Sequence, residues 1–435
     1  MFGEGFMNPI NQQDFLQTRN YVLGNRNPNP DFALHIGRFY ALDGSLGSSV
    51  YIDALKPHVM MIAGKRGYGK SYTLGVFLEE FSRLPLSLRE RYTCLVIDTL
   101  GIFWTLHYPN KKQKDLLSKW NISAEQTPIT LFHTAQKSPE AFKNHSIVKN
   151  FKIPPSILSI HQWCELFQCS LMDSEGILLS SSIISLQNHR SQFDLEDIKK
   201  EVQKNTNADK KTREKVNTFL DQARSWNLFS EKANPISRLI KPGEIIIIDL
   251  SYLKNNYLKQ TITAIISDIL FHYRVTQRKI EEFQHINDAP ATKNNPYIWL
   301  AIDEAHLFLP EKENSYVKQI LLQNWLRQGR QPGLSLMLAT QRPSFMDREV
   351  FSHCDLLFCH RLTANEDIQS LTRLRPTYMK GDIEETIKKI GTEKGVALLI
   401  DDVVETTHIV KIRPRHSWHG GGEPEIKIVN GNDEN

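Results

Sequence analysis

The stretch from His58 to Phe81, HVMMIAGKRGYGKSYTLGVFLEEF, constrains this chain more than any other. An apolar run of buried-strand type ends at Gly64. Gly-Lys-Arg-Gly-Tyr-Gly-Lys-Ser follows, and then Leu74, Phe77, Leu78 and Phe81 recur at helical spacing. Glycines let a loop wrap tightly with its backbone N–H groups turned inward, and the helix sets the positive end of its dipole beneath them. That order of parts makes a phosphate cradle of the form G-x-x-x-x-G-K-[ST]. In it Lys70 reaches the β- and γ-phosphates and Ser71 holds Mg²⁺. The expected nucleotide-holding residues are Gly64, Lys65, Arg66, Gly67, Tyr68, Gly69, Lys70, Ser71 and Tyr72, and the expected cofactors are ATP and Mg²⁺. Arg66, at the loop tip, is either solvated or turned to a phosphate or a neighbouring subunit.

Further along, YIWLAIDEA is an apolar strand ending in Asp303-Glu304. Behind a phosphate cradle, Asp303 is placed to hold Mg²⁺ and Glu304 to take a proton from the attacking water. Two carboxylates capping a strand end is the plainer alternative. LSLMLATQ is another buried strand, ending at Gln341. Gln341 either caps that strand or bonds the γ-phosphate or the lytic water. Arg327 and Arg330, in NWLRQGRQPG, fall between these two strands. They are either a solvated helix end or a source of transition-state charge for a neighbour's nucleotide, with Arg330 preferred. Arg342 and Arg361 are secondary candidates.

The remaining pattern alternates strands and helices. LVID and EIIIID are continuously apolar rather than alternating, which indicates parallel strands buried on both faces of an α/β sheet. LHIGRFYALDGSLGSSVYID reads as a hairpin. Charge and helix formers dominate from 111 to 235, an expected helical insertion. The expected divisions are an arm and short hairpin at 1–55, core halves at 56–110 and 236–412 around that insertion, and a tail at 413–435.

Composition excludes little. The net charge of +4 comes from 53 basic and 49 acidic residues, too even a balance to argue for nucleic acid by itself. A basic run at 199–215 either touches DNA or is a solvated helix face. Cys164/Cys169 and Cys354/Cys359 lack the second ligand pair that zinc needs. Five cysteines without a CxxC pair suit reduced thiols in the cytoplasm. Neither a secretory signal nor a run long enough to span a bilayer is apparent, so no membrane association is expected.

These pieces, in order, resemble the HerA branch of the HerA/FtsK motor ATPases: IGRF and VYID before the cradle, GKRGYGKS, VIDTLG, KPGEIIIIDLSYL, LAIDEAHLFLP, RQGRQPGLSLMLATQRPS, CDLLFCHRLTANED and VKIRPRHSWHGG. The resemblance implies a RecA-like P-loop ATPase core, with mostly parallel strands and a helical insertion, in a homo-hexameric ring. It places the Gln341 strand between the cradle strand and the Asp303 strand. It also implies movement along double-stranded DNA beside a nuclease partner. Two features depart from the family. Only about fifty residues precede the motor, too few for the usual β-barrel, and after Asp98 the chain reads Thr99-Leu100-Gly101-Ile102-Phe103 where the family has a His-Gly-Glu run, so its acidic residue is missing. Compact relatives of this kind serve antiphage systems with nuclease or NAD-consuming effectors. A non-translocating ATPase scaffold that switches an effector, and a motor for protein substrates, are the competing readings.

Overall fold

The computed structural model describes residues 21–134, 146–233, 238–290, 295–372 and 383–422. The expected arm up to residue 20 and the tail from 423 lie outside them. Thirteen strands form one sheet in the order β1-β3-β2-β13-β12-β11-β4-β10-β9-β5-β8-β6-β7. They are β1 Tyr21–Leu23, β2 Ala33–Tyr40, β3 Leu46–Asp53, β4 Val59–Ala63, β5 Tyr92–Asp98, β6 Thr130–His133, β7 Val148–Asn150, β8 Ile245–Asp249, β9 Tyr297–Ile302, β10 Leu334–Thr340, β11 Leu356–His360, β12 Val396–Asp401 and β13 Thr406–Ile412. From β11 to β7 every pairing is parallel. The last hairpin, β12–β13, is antiparallel and joins the sheet to the expected hairpin β2–β3.

The apolar runs of the central strands follow from double-sided burial. In β5, Leu95 and Ile97 enter one core while Cys94 and Val96 enter the other. β8 divides likewise, Ile246 and Ile248 against Ile245 and Ile247. The helix Lys70–Arg83 covers one face with Leu74, Phe77, Leu78 and Phe81. The 31-residue helix Asn256–Ile286 covers the other with Ile262, Ile265, Ile266 and Leu270. None of the helices among the described residues is long and apolar enough to cross a membrane.

Three expectations need correction. The 111–235 segment is not wholly helical, because β6 and β7 extend the parallel sheet beyond β8. Their three or four residues are too short for a pattern to show amid polar flanks. The helices Ile160–Phe167, Ser174–His189, Leu195–Lys204 and Lys210–Ser225 follow them. Second, residues from Tyr21 already form a strand. Third, the segment after Ile412 begins as core rather than tail: Arg413 to Ser417 are buried across the Lys70–Arg83 helix. Burial alone would push the Glu79 carboxyl up, but Arg413, Arg415 and Ser417 hold it below its ordinary range. Arg413 pairs with Glu79 at 2.9 Å and with Glu80 at 2.7 Å.

Candidate active site

In a parallel sheet the strand ends that share one direction gather on one edge, and ligands bind there. Here that edge collects the ends of β4, β10, β9 and β11, and with them most of the expected residues. Gly64 leaves β4 beside the end of β11, and a Cβ on it would meet the His360 Cβ at 2.7 Å. Only glycine lets the two strand ends come this close. Gly67 and Gly69 take φ of +81° and +118°, the left-handed region that turns the loop. His360 lies beneath, accepting from or donating to the Thr73 hydroxyl at Nε2 (2.9 Å) and facing the Val396 carbonyl with Nδ1 (2.9 Å). Burial lowers its pKa to about 4, so the ring is neutral. One nitrogen therefore donates to Val396 and the other accepts from Thr73. No pattern in the sequence singles out His360, which is 287 residues from Thr73.

The Lys70 ammonium donates to the Lys65 carbonyl at 3.2 Å. Burial lowers its pKa, against the pull of Glu304 and Asp303. The Ser71 hydroxyl donates to Asp303 at 3.0 Å, joining the first helical turn to the end of β9. Asp303 is fully buried. Burial and the neighbouring Glu304 push its pKa up to about 6, while the Ser71 bond opposes them. Hard oxygen donors on two elements, one a carboxylate whose negative charge is costly where it sits, fit a Mg²⁺ ion. Such an ion, when bound, neutralises charge on the phosphates.

Glu304 has φ +54° and ψ +46°, a left-handed conformation that costs a non-glycine residue about 1 kcal/mol. The turn aims its buried carboxylate back over the strand ends. There Oε1 accepts a hydrogen bond from the Gln341 amide, and Oε2 has no hydrogen-bond partner, with His306 Nδ1 3.4 Å away. His306, unmarked by the sequence reading, also faces the Thr340 hydroxyl at 3.3 Å.

The side chains of the other candidates are engaged differently. Tyr72 turns its ring to the C-terminal segment: its hydroxyl donates to Gln113 (2.9 Å) and accepts the Arg415 N–H (2.7 Å). Its side chain is thus engaged away from the loop. Arg66 is exposed. Arg342 stacks on Phe345 at 3.6 Å. Arg330 sits in the turn that enters β10, on the edge where the strands begin, with β10's seven residues between it and the cradle edge. At about 3.3 Å per residue that is more than 20 Å. Arg330 therefore does not border its own nucleotide edge, contrary to the position expected from chain order. Arg327 forms an exposed bidentate pair with Glu349, and the Arg330 carbonyl accepts from Gly333 N–H at 3.3 Å. Several cations of the basic run pair with carboxylates of the helical segment, as in Lys199–Asp221 and, across to the helix Ser174–His189, Lys215–Glu175.

Comparison with known proteins agrees with this construction. Residues 34–269 match the family model for the central domain of helicase HerA. The DNA double-strand break repair helicase HerA of Saccharolobus solfataricus is 24% identical over 86% of this chain and 68% of its own length. That of Sulfurisphaera tokodaii is 24% identical over 90% and 72%. The Pyrococcus furiosus protein of the same name matches at 24% over 40% of this chain, and this match spans only 33% of that relative. Among solved structures, VirB4 of Thermoanaerobacter pseudethanolicus superposes with a TM-score of 0.54 at 13% identity, covering 89% of this chain and 98% of that one. The bacterial conjugative coupling protein TrwB gives 0.51 at 11% identity, covering 85% and 88%. Strand order and direction place the Gln341 strand between the cradle strand and the Asp303 strand, as the resemblance implied. The chain, with its α/β RecA-like core, is an ATPase belonging to the helicase HerA central-domain family.

Proposed function

We propose that this chain is the motor subunit of a homo-hexameric ring that hydrolyses ATP, moves along double-stranded DNA and drives a nuclease or other effector in the cytoplasm. The observation that carries the hydrolytic part is the gathering of Ser71, Asp303, Glu304 and Gln341 from one helix start and two strand ends. Gly64 to Ser71 hold the phosphates by backbone N–H groups and the Lys70 ammonium. Ser71 and Asp303 hold Mg²⁺. Glu304 accepts the proton of the attacking water, and Gln341 orients the Glu304 carboxylate and registers its change of charge. Arg330 acts on the neighbour's ATP. The DNA and ring parts draw on the family and on relatives described as DNA double-strand break repair helicases. The nuclease or NAD-consuming partner and an antiphage role rest on family analogy. In domain terms, 56–110 and 236–412 form the motor, with β6 and β7 as a bridge to the helical part of 111–235.

A scaffold reading, in which hydrolysis switches an effector without movement, draws on the internal pairing of the basic run. Mass measurement with ATP, with and without duplex DNA, together with hydrolysis rates, separates the two. A ring whose hydrolysis rises with DNA, and whose DNA affinity falls steeply with salt, supports the motor. Hydrolysis indifferent to DNA, with no duplex binding at low salt, supports the scaffold.

A further inference from the structure

We propose that Arg361 is a second phosphate-binding cation of the cradle, acting on the nucleotide of its own subunit. This rests on the reading of Gly64–Ser71 as an ATP cradle. Arg361 directly follows β11, whose Cys359 pairs with Ala63 at the end of the cradle strand. Its carbonyl accepts the Lys65 N–H at 2.8 Å, so its backbone is tied to the loop. Its guanidinium lies 5.3 Å from the centroid of the Tyr68 ring, at the loop tip.

The decisive feature is Nη1: the Arg361 side chain as a whole is half-buried, but this atom is buried and, among the described residues, has no hydrogen-bond partner. A guanidinium does not lose its proton, so burial leaves a charged donor in need of an acceptor. Among the described residues, the fully buried arginines each face a carboxylate: Arg274 faces Glu281, and Arg413 and Arg415 face Glu79. No such ion pair reaches Arg361 among the described residues. An acceptor suited to that position is anionic and arrives with the ligand. A phosphate oxygen meets the planar fork of arginine well. The loop amides and the positive end of the Lys70–Arg83 helix select the same kind of anion from the same edge. The Tyr68 ring and the Lys65 bond hold the fork ready, limiting the side-chain entropy lost on binding.

The test is calorimetric titration of the full chain with Mg²⁺ and ATP, ADP or AMP, in a Glu304→Gln background that suppresses turnover. Arg361→Ala is expected to weaken ATP binding roughly 10- to 100-fold. Arg361→Lys recovers part of the loss, keeping charge without the fork. The melting temperature without nucleotide does not fall in Arg361→Ala, since a guanidinium with one buried, unbonded nitrogen has been removed. A loss confined to ATP assigns the contact to the γ-phosphate, one shared by ATP and ADP but not AMP to the β-phosphate, and an equal loss for AMP to the α-phosphate; each supports the proposal. Unchanged ATP affinity in Arg361→Ala overturns it. So does a fall in melting temperature with no recovery by lysine, which makes Arg361 a prop for Tyr68. Lost duplex DNA affinity at unchanged ATP affinity also overturns it, assigning the phosphate to DNA. Lys70→Ala is the control: if it too binds ATP like the parent, the cradle reading has failed, whereas its loss beside an unaffected Arg361→Ala defeats only this proposal. Should Arg361→Ala not fold, Arg361→Gln and Arg361→Lys decide by the same titrations.

Discussion

The Gln341 side-chain amide donates a hydrogen bond to the Glu304 carboxylate, tying the end of β10 to the turn after β9. The two strands are neighbours, with Leu338 opposite Ile302. A proton taken up by Glu304 weakens this bond, because a charged acceptor becomes a neutral one. The pair thereby couples the charge of the proposed base to the central strand of the sheet.

Glu304→Gln should retain ATP binding and lose hydrolysis by about 10²- to 10⁴-fold, since the amide keeps the shape but cannot accept a proton. Binding by titration and phosphate release in single turnover check this. Turnover near that of the parent would assign the water to another base.

Lys70→Ala should remove productive ATP binding, because the ammonium next to Asp303 and Glu304 is the mobile positive charge of the loop. Titration with ATP measures the loss. An affinity matching the parent would remove the cradle assignment.

Arg330→Ala should bind ATP normally and hydrolyse it about 10³-fold more slowly or worse, if the arginine acts across a subunit boundary. Its place on the edge opposite its own cradle makes action in cis sterically remote. Every interface of a closed ring is heterologous, so mixing Arg330→Ala with Glu304→Gln subunits should restore turnover at interfaces that pair intact residues. No activity above either parent, with subunit exchange demonstrated, would turn attention to Arg327.

Arg413→Met should destabilise the fold by about 3–5 kcal/mol, because it leaves the buried Glu79 short of its main counter-charge. Urea unfolding measures this. A change under about 1 kcal/mol would mean that Arg415 and Ser417 suffice for Glu79.

His58 carries a pH prediction. Burial lowers its pKa, but the Asp355 and Asp53 carboxylates, 2.8 and 3.8 Å away, outweigh it and raise the value to about 9. The folded value lies above the ordinary 6.5, so the stabilisation is complete below pH 6.5 and is lost as pH rises through 9. At most about 3 kcal/mol is involved. Urea unfolding from pH 6 to 10 should show this decline, and His58→Gln should flatten it. An equal decline in His58→Gln would assign it to other groups.

Features spelled out within a few consecutive residues were legible before any folding. The glycines and Lys70-Ser71 stand between a strand and a helix, Asp303-Glu304 close an apolar run, and double-sided burial leaves its mark in EIIIID. Each of these is local, because chain connectivity already sets the distances. Tertiary structure decided what depends on partners far apart in the chain. It placed Arg330 on the edge away from the cradle, since strand direction rather than chain order assigns a loop to an edge. It added β6 and β7, whose few residues form strands only against β8 and, in turn, against β6. It brought His360 beneath Gly64, and it set Arg413 against Glu79 across 334 residues. A charged residue inside an amphipathic helix gives no sign of which distant group will neutralise it. That is settled only when packing excludes water and the buried charge must find its partner.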